Sequence, residues 1–424
     1  MWVMLLSGLA IAVSLPAVVL GCECLLALLP LRRDRRAERG RRPSLAVLVP
    51  AHNEQAGIGA TIDAIIPQLG ADDRLIVIAD NCEDQTAAVA RRLGALVFER
   101  VDAERRGKGY AIGYALEQLA AEPPEVVVCI DADCLPLPGC IERVARACCV
   151  SSRPIQAAYL ILPPENASPG TRISGFAVMV KNYVRPRGLQ RLGMPCLITG
   201  SGVAYPWDVL QQVPHSEAHI VEDMHYSVDL ALAGFSAQPC MEAFVESKLP
   251  SMQQAARTQR TRWEHGHLSV MLSEGPRLWS GAVRQRSLRL LVLWLELMVP
   301  PLSLLLCVLA VTGGALLVAG VLTAAWPALG LLLAGVGVGL AGLAAAWWRF
   351  GRRMLPTRIL FGVPQYIVGK LSIYTKFLSS PEQAWVRTQR DPAEPVVGEG
   401  AIEDVSRPHF GAAQSPAEKT TNAE

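Results

Sequence analysis

Two acidic pairs and one glutamine–arginine–tryptophan triplet carry the chemistry legible in this chain. In "VCIDADCLPLPG" an apolar run, Val126 to Ile130, ends in Asp131 and Asp133 with only Ala132 between them. Two such carboxylates, unpaired, repel each other and lose hydration. A hard divalent cation, Mg²⁺ or Mn²⁺, removes both costs, because it takes one or two carboxylates plus phosphate oxygens and water. D-x-D alone is common in solvated turns, and its weight here comes from its place at the end of a buried strand. Residues two apart in extended chain point the same way, so both acids are expected on one side. "VEDMHYSVDLALAG" puts Glu222 and Asp223 at the start of a helical stretch, where an isolated acid pair ordinarily caps the helix or opposes its dipole. "QRTRW" brings Gln259, Arg262 and Trp263 within five residues. Arginine can grip a phosphate with two N–H groups and tryptophan can stack on a sugar or base, although on a surface the same pair is only a cation–π contact.

The elements that must position these residues alternate. Between Pro43 and Arg286, "LAVLV" (45–49), "LIVI" (75–78), "LVF" (96–98) and "VVVCI" (126–130) read as strands. Residues 58–69, 86–93 and 109–119 read as the helices between them. Repeated βαβ units imply an α/β fold with a mainly parallel, Rossmann-like sheet covered on both faces. Such sheets bind ligands beyond the carboxyl ends of their strands. "PAHNE" (50–54), "ADNCED" (79–84) and "DADC" (131–134) fall at those ends. The eleven cysteines form no C-x-x-C pair, which implies reduced thiols. Cys129, Cys134 and Cys140 match no zinc spacing and read as small buried residues.

Apolar residues make up 51% of the chain and are unevenly spread. Trp2 to Leu31 is one apolar run broken by Glu23 and a few small residues, long enough to span a bilayer. No Lys or Arg precedes it and it exceeds a signal-peptide core, so a cleaved signal fits poorly. "RRDRRAERGRR" (32–42) follows, which by the positive-inside rule puts the next segment in the cytosol. This patch could also serve as a nucleic-acid arm, but a basic cluster abutting a span already has a role. A second apolar block, Leu290 to Trp348, contains Glu296 as its only charge and reads as two spans turning near Thr323 to Pro327. "RFGRR" (349–353) returns the chain to the cytosol. Residues 359–378 are apolar but carry Lys370 and Lys376, the pattern of a helix lying in the interface. Glu23 and Glu296, acids inside apolar runs, are functional candidates by default or sit at an interface. A net charge of +2 names no partner.

Taken in order, the D-x-D, E-D and Q-x-x-R-W series resembles a membrane-bound family 2 glycosyltransferase of the GT-A fold, the group of the cellulose, hyaluronan and poly-N-acetylglucosamine synthases. "RRGKGYA" (105–111) and "WVRTQR" (385–390) resemble segments of the same group. The resemblance implies that Asp80 contacts the base, with Ala51 and Glu54 in the same nucleotide pocket. It implies Asp131 as a second nucleotide-side acid, Asp133 as the ligand of a Mg²⁺ or Mn²⁺ on the diphosphate, and Asp223 as general base. Gln259 and Arg262 would hold the pyrophosphate and Trp263 the acceptor's terminal sugar. "TGSG" (199–202) falls at an acceptor loop, which points to Gly200 and Ser201. Lys108 either approaches the phosphates or belongs to an exposed basic loop. Val221 departs from the group, which commonly has Thr before the acid pair.

The implied organisation is a transmembrane helix (1–31), a basic linker (32–43), a cytosolic GT-A domain (44–286), a transmembrane hairpin (287–348), an interfacial segment with "WVRTQR" (349–390) and a disordered tail (391–424). The implied reaction is inverting transfer from a nucleotide-diphosphate sugar, with UDP as the expected carrier, to a glycan or lipid-linked acceptor in exopolysaccharide or envelope assembly. Ala/Arg/Gly-rich composition points to a bacterial inner membrane. Membrane lipid is an expected partner and nucleic acid is not. A polysaccharide channel built from about three spans would require a homo-oligomer or an export partner. A nucleotidyltransferase would need neither the E-D pair nor the membrane hairpin, and a non-catalytic nucleotide-sugar sensor would not need all four acids.

Overall fold

The structure, a computed structural model, describes residues 1–31, 40–214, 222–250 and 253–379. Val221, "WVRTQR", the tail from 391 and most of the basic linker lie outside the described residues. An eight-stranded sheet runs in the order β3-β2-β1-β4-β7-β6-β8-β5. Its first half is parallel: β1 (Leu45–Ala51) lies between β2 (Arg74–Asp80) and β4 (Val126–Cys129), and β3 (Leu96–Arg100) pairs with β2. Continuous Val, Leu and Ile runs form β1, β2 and β4, which are buried and have no wet side for alternation, whereas the edge strand β3 is partly exposed. The second half is mixed. β7 (Val203–Pro206) is antiparallel to both β4 and β6 (Ile155–Leu162), β8 (Gln238–Lys248) runs parallel to β6, and β5 (Leu135–Pro136) closes the edge.

The expected elements are present with shifted ends. β2 and β3 run on to Asp80 and Arg100, because these two polar residues pair across the strands and keep the ladder going. β4 stops at Cys129, one residue early, where a turn takes over. The helix expected over 58–69 stops at Ile65 and tightens into a 3₁₀ turn, Ile66–Gln68, around Pro67, which disfavours continuation of an α-helix.

Beyond the sheet, three helices among the described residues are long and apolar enough to cross a membrane: Trp2–Leu26, Leu302–Thr323 and Trp326–Gly351. The expected two-span block begins at Leu302 and not at Leu290. A separate helix, Leu288–Leu297, precedes it, and the pair Pro300-Pro301 breaks the chain between them. The first and last apolar helices pack backbone to backbone. A Cβ on Gly342 would lie 2.6 Å from Gly21 Cα, and one on Gly335 would lie 2.6 Å from Ser14 Cβ. Small residues permit this approach, the usual basis of helix association in lipid.

The sheet sits on these helices. Ala157, Tyr159, Ala243 and Val245 face one core cluster with Ile58, Ile62 and Ile141, whereas Ala158, Leu160 and Met241 join a second cluster with Leu20, Tyr183, Leu305 and Leu332. Arg185 and Arg187, on the helix Arg185–Leu192, fasten the joint. Arg185 Nε donates to Glu23 Oε2 at 2.5 Å, and its Nη2 donates to the Glu296 carbonyl at 2.9 Å. Arg187 Nε donates at 2.8 Å to the Ala27 carbonyl, one of the orphan acceptors at the end of the first apolar helix. Glu296 in turn accepts the Leu197 N–H at 3.0 Å. Glu23 and Glu296 are therefore structural pins between the sheet domain and the apolar helices. We expect Arg185→Met, which leaves the Glu23 carboxylate buried and unpaired, to cost about 3–5 kcal/mol, with much of this recovered in the Glu23→Gln, Arg185→Met double variant. Thermal melts of the detergent-purified proteins measure both.

Candidate active site

The strand ends converge as the topology requires. After β4 the chain turns, with the Cys134 N–H donating to the Asp131 carbonyl at 3.0 Å. Thr61, buried on the helix Ile58–Ile65, holds the turn by donating to the Ala132 carbonyl at 2.8 Å. The two acids are thus gathered by a turn and not by strand alternation. Ligand atoms of Asp131, Asp133 and Cys134 lie within 4.8 Å of one another. Burial pushes the Cys134 thiol well above its ordinary range, so it stays protonated and donates to Asp133 Oδ1 at 3.6 Å. What remains for a cation is a pair of carboxylates with an open side at Asp133. That donor set fits Mg²⁺ or Mn²⁺ and not a thiolate-seeking metal.

Lys108 organises the other acids. It opens the helix Lys108–Leu119, and its Nζ reaches Asp131 Oδ1 at 2.8 Å, the Gly200 carbonyl at 2.9 Å and Asp223 Oδ1 at 3.3 Å. An ammonium has three donors, and all three have acceptors here. Burial alone would lower its pKa, but Asp131, Asp223 and Glu222 hold it well above the ordinary lysine range. Of its two expected settings, the exposed basic loop is excluded. Glu222 Oε2 accepts the Gly109 N–H at 2.9 Å and so caps the Lys108 helix from another element. Burial and the neighbouring Asp223 charge raise Glu222 to about 8. Burial also raises Asp223, with Lys108 pulling the other way.

The loop 199–202 threads between these acids. Gln156 clamps it from β6, accepting the Thr199 N–H at 2.8 Å and donating to the Ser201 carbonyl at 2.9 Å. Gly200 has φ 114°, and a Cβ there would lie 3.3 Å from Asp223 Oδ2 and 3.9 Å from Asp131 Oδ2. Ser201 was expected to face an acceptor. It is instead fully buried, and its hydroxyl accepts the Asp131 N–H at 3.0 Å, so it positions Asp131 from within.

At the end of β2, Asp80 is buried, and its Oδ1 accepts from Arg100 Nη1 at 2.7 Å and Asn81 Nδ2 at 3.0 Å. Ala51 and Glu54 are buried at the neighbouring end of β1. Asn53 and Asn81, both with positive φ, tie these loops together by accepting the N–H groups of Glu83 and Asp102 at 2.8 Å each. On the long helix Gln253–Arg284, Trp263 packs against the core cluster that includes Ala132, Cys134 and Tyr159. Gln259 and Arg262 are half-buried on the same helix, and Gln259 Oε1 is buried without a hydrogen-bond partner. The sequence reading missed Arg100 and the capping role of Glu222. Arg100 was findable in principle, because it ends a strand parallel to the one that ends in Asp80.

The sequence matches the family described as Glycosyltransferase like family 2 over residues 43–266, just over half of the chain. The chain belongs to this family. Among curated relatives it is similar to the 4,4'-diaponeurosporenoate glycosyltransferase of Staphylococcus aureus, 41% identical over 75 residues that cover 18% of this chain and 20% of the relative. It is also similar to the glucosyl-3-phosphoglycerate synthase of Mycobacterium tuberculosis, 39% identical over 103 residues, 23% of this chain and 30% of the relative. The matches thus span under a third of either relative's length. Among solved structures, the mannosyltransferase PcManGT from Pyrobaculum calidifontis in complex with GDP-Man and Mn²⁺ superposes with a TM-score of 0.51 at 17% identity, covering 89% of this chain and all of that one. The fold is therefore GT-A, with candidate membrane helices attached.

Gly200 supplies a direct test of the acid cluster. Gly200→Ala carries backbone strain of about 1–3 kcal/mol and also crowds Asp223. Gly193→Ala carries the backbone strain alone, since Gly193 has φ 67° and open space around its Cα. We expect Gly200→Ala to lower turnover at least about tenfold and Gly193→Ala to leave it near wild type, as read by nucleoside-diphosphate release.

Proposed function

We propose that the protein is an inverting membrane glycosyltransferase of the cellulose, hyaluronan and poly-N-acetylglucosamine synthase type. It moves a sugar from a nucleotide-diphosphate donor, UDP-linked by the resemblance, to a glycan or lipid-linked acceptor on the cytosolic face of a bacterial inner membrane. The observation that carries this reading is the placement of Asp223 across Gly200 from Asp131, with one ammonium, Lys108, between the two carboxylates.

In this reading the base sits over the ends of β1 and β2. Asp80 is held there by Arg100 through Oδ1, which leaves Oδ2 for a base N–H, beside Ala51 and Glu54. Asp131 lies towards the ribose and diphosphate. Asp223 accepts the proton of the acceptor hydroxyl as that oxygen attacks the anomeric carbon. The bond from the anomeric carbon to the diphosphate oxygen breaks on the opposite face, and the configuration inverts. Lys108, Gln259 and Arg262 take up the negative charge that develops on the leaving group. A Mg²⁺ or Mn²⁺ held by Asp133, with Asp131 beside it, would add positive charge at the same oxygens. The Mn²⁺ and GDP-Man bound by the Pyrobaculum mannosyltransferase support this assignment as a fold-level parallel. Trp263 offers an apolar face to the acceptor sugar. The three span-length helices support a multi-pass membrane setting with residues 44–286 in the cytosol.

Purified protein in lipid nanodiscs, given a panel of nucleotide sugars with and without Mn²⁺, should release nucleoside diphosphate from one donor only when metal is present. Asp223→Asn should slow that release by about 100-fold or more and leave donor affinity intact. Wild-type rates in Asp223→Asn would overturn the assignment, and donor binding without turnover in either protein would favour a sensor.

The pH dependence has a defined sign. Asp223 must be ionised to accept a proton, so turnover rises with pH through its burial-raised pKa. Lys108 opposes that rise, so Lys108→Met leaves burial unopposed. The acid limb of the kcat profile should move to higher pH in Lys108→Met, together with a lower plateau.

A further inference from the structure

Residues 359–378, with Lys370 and Lys376, were expected as a helix lying in the membrane interface, and the helix Val363–Ser379 occupies this stretch. Lys370 faces inward. It is buried and ion-paired with Glu264, also buried, and its ammonium lies 4.9 Å from the centre of the Tyr366 ring. Glu264 directly follows Trp263 on the helix that carries Gln259 and Arg262. His265 Nε2 lies 2.9 Å from the Ile373 carbonyl, and its ring meets Phe377 edge-on at 5.3 Å. Leu268 completes a small apolar cluster with Ile373 and Tyr374, and Tyr374 sits beside Glu264 and Ser303.

The other side of the same helix is exposed and mixes apolar residues with Gln365, Ser372, Thr375 and Lys376. Val368 and Leu371 are exposed, as are Phe361 just before the helix and Leu378 near its end. Leu304, at the start of the span-length helix Leu302–Thr323, packs against the Leu268–Ile373–Tyr374 cluster, so this helix adjoins a candidate span. Arg352 and Arg353 lie on the short segment leading into it, with Arg352 stacked on Trp348 at 5.1 Å. Exposed Val368, Leu371 and Leu378 among polar residues and a lysine, beside a candidate span and a basic cluster, suit the water–lipid interface.

We propose that Lys370 is a positioning residue. By holding Glu264 it fixes the setting of the adjacent Trp263 on the Gln253–Arg284 helix to a helix whose outer side rests on lipid. The acceptor side of the catalytic cleft is thereby referenced to the membrane. The inference rests on the acceptor role given above to Trp263. It goes beyond that role by assigning the residue that aims this side chain.

The test uses the full chain in nanodiscs of phosphatidylethanolamine and phosphatidylglycerol, with the donor that supports turnover. Chito-oligosaccharide and polyprenyl phosphate are the acceptor probes. Lys370→Met should raise the acceptor KM or lower kcat at least about tenfold, while the affinity for nucleoside diphosphate stays within about twofold. The exchanged pair, Glu264→Lys with Lys370→Glu, should recover at least half of the loss. Glu264→Met with Lys370→Met, which removes both charges together, should melt near wild type and so separates aim from stability. Wild-type acceptor kinetics in Lys370→Met would overturn the proposal. So would donor and acceptor parameters that decline together in step with the melting temperature. Trp263→Ala, run alongside, distinguishes the two levels of argument. If it raises the acceptor KM and Lys370→Met does not, only the positioning role falls. If it too changes nothing, the acceptor reading falls and takes the positioning role with it.

Discussion

A single ammonium shared by two carboxylates, with a third beside it, sets the architecture of the cleft. Asp131, Glu222 and Asp223 come from two distant parts of the chain, and without Lys108 they would place three negative charges in a partly desolvated space. Direct bonds from its Nζ to Asp131, Asp223 and the Gly200 carbonyl use up the lysine's donors. Glu222 stays off the ammonium and binds the Gly109 amide, so the acid that adds repulsion also anchors the helix that supplies the cation. The glycine at 200, the turn at 131–134 and the clamp by Gln156 all serve this spacing. Crowding is relieved by geometry and not by dilution into solvent.

Local patterns gave much of the fold. Buried parallel strands announce themselves as apolar runs, and the polar residues that end such runs are where ligands bind. Asp131 and Asp133 could therefore be singled out before their positions were known, and the structure puts Asp223, from a helix, across Gly200 from Asp131. Strand limits were less legible, because the last residue of β2 or β3 depends on a partner across the ladder. Asp80 extends its strand only because Arg100 does the same beside it.

The residues that were misplaced or left open share a cause. Ser201, Glu23, Glu296 and Lys370 each carry a polar group whose partner lies more than fifty residues away in sequence, and no window of neighbouring residues contains it. A serine in a glycine-rich loop looks exposed until the Asp131 amide is found above it. An acid within an apolar run looks like a transport or catalytic group until Arg185 is found beside it. Lys370 looks like a snorkelling residue until Glu264 appears. In each instance the burial is compensated by a bond that only tertiary structure creates.

The joint made by Arg185, Arg187 and Gly188 has a consequence for how the chain is assembled. The first apolar helix leaves the ribosome long before either the arginines that cap its end or the glycine-lined helix, Trp326–Ala346, that packs along its length. A Cβ on Gly188 would sit 2.1 Å from the Glu23 carbonyl, so this contact is a late fit between finished surfaces. During synthesis the small-residue stripe of the first helix and its Glu23 must wait without partners. The seating of the first helix against these later elements is then a late step in assembly.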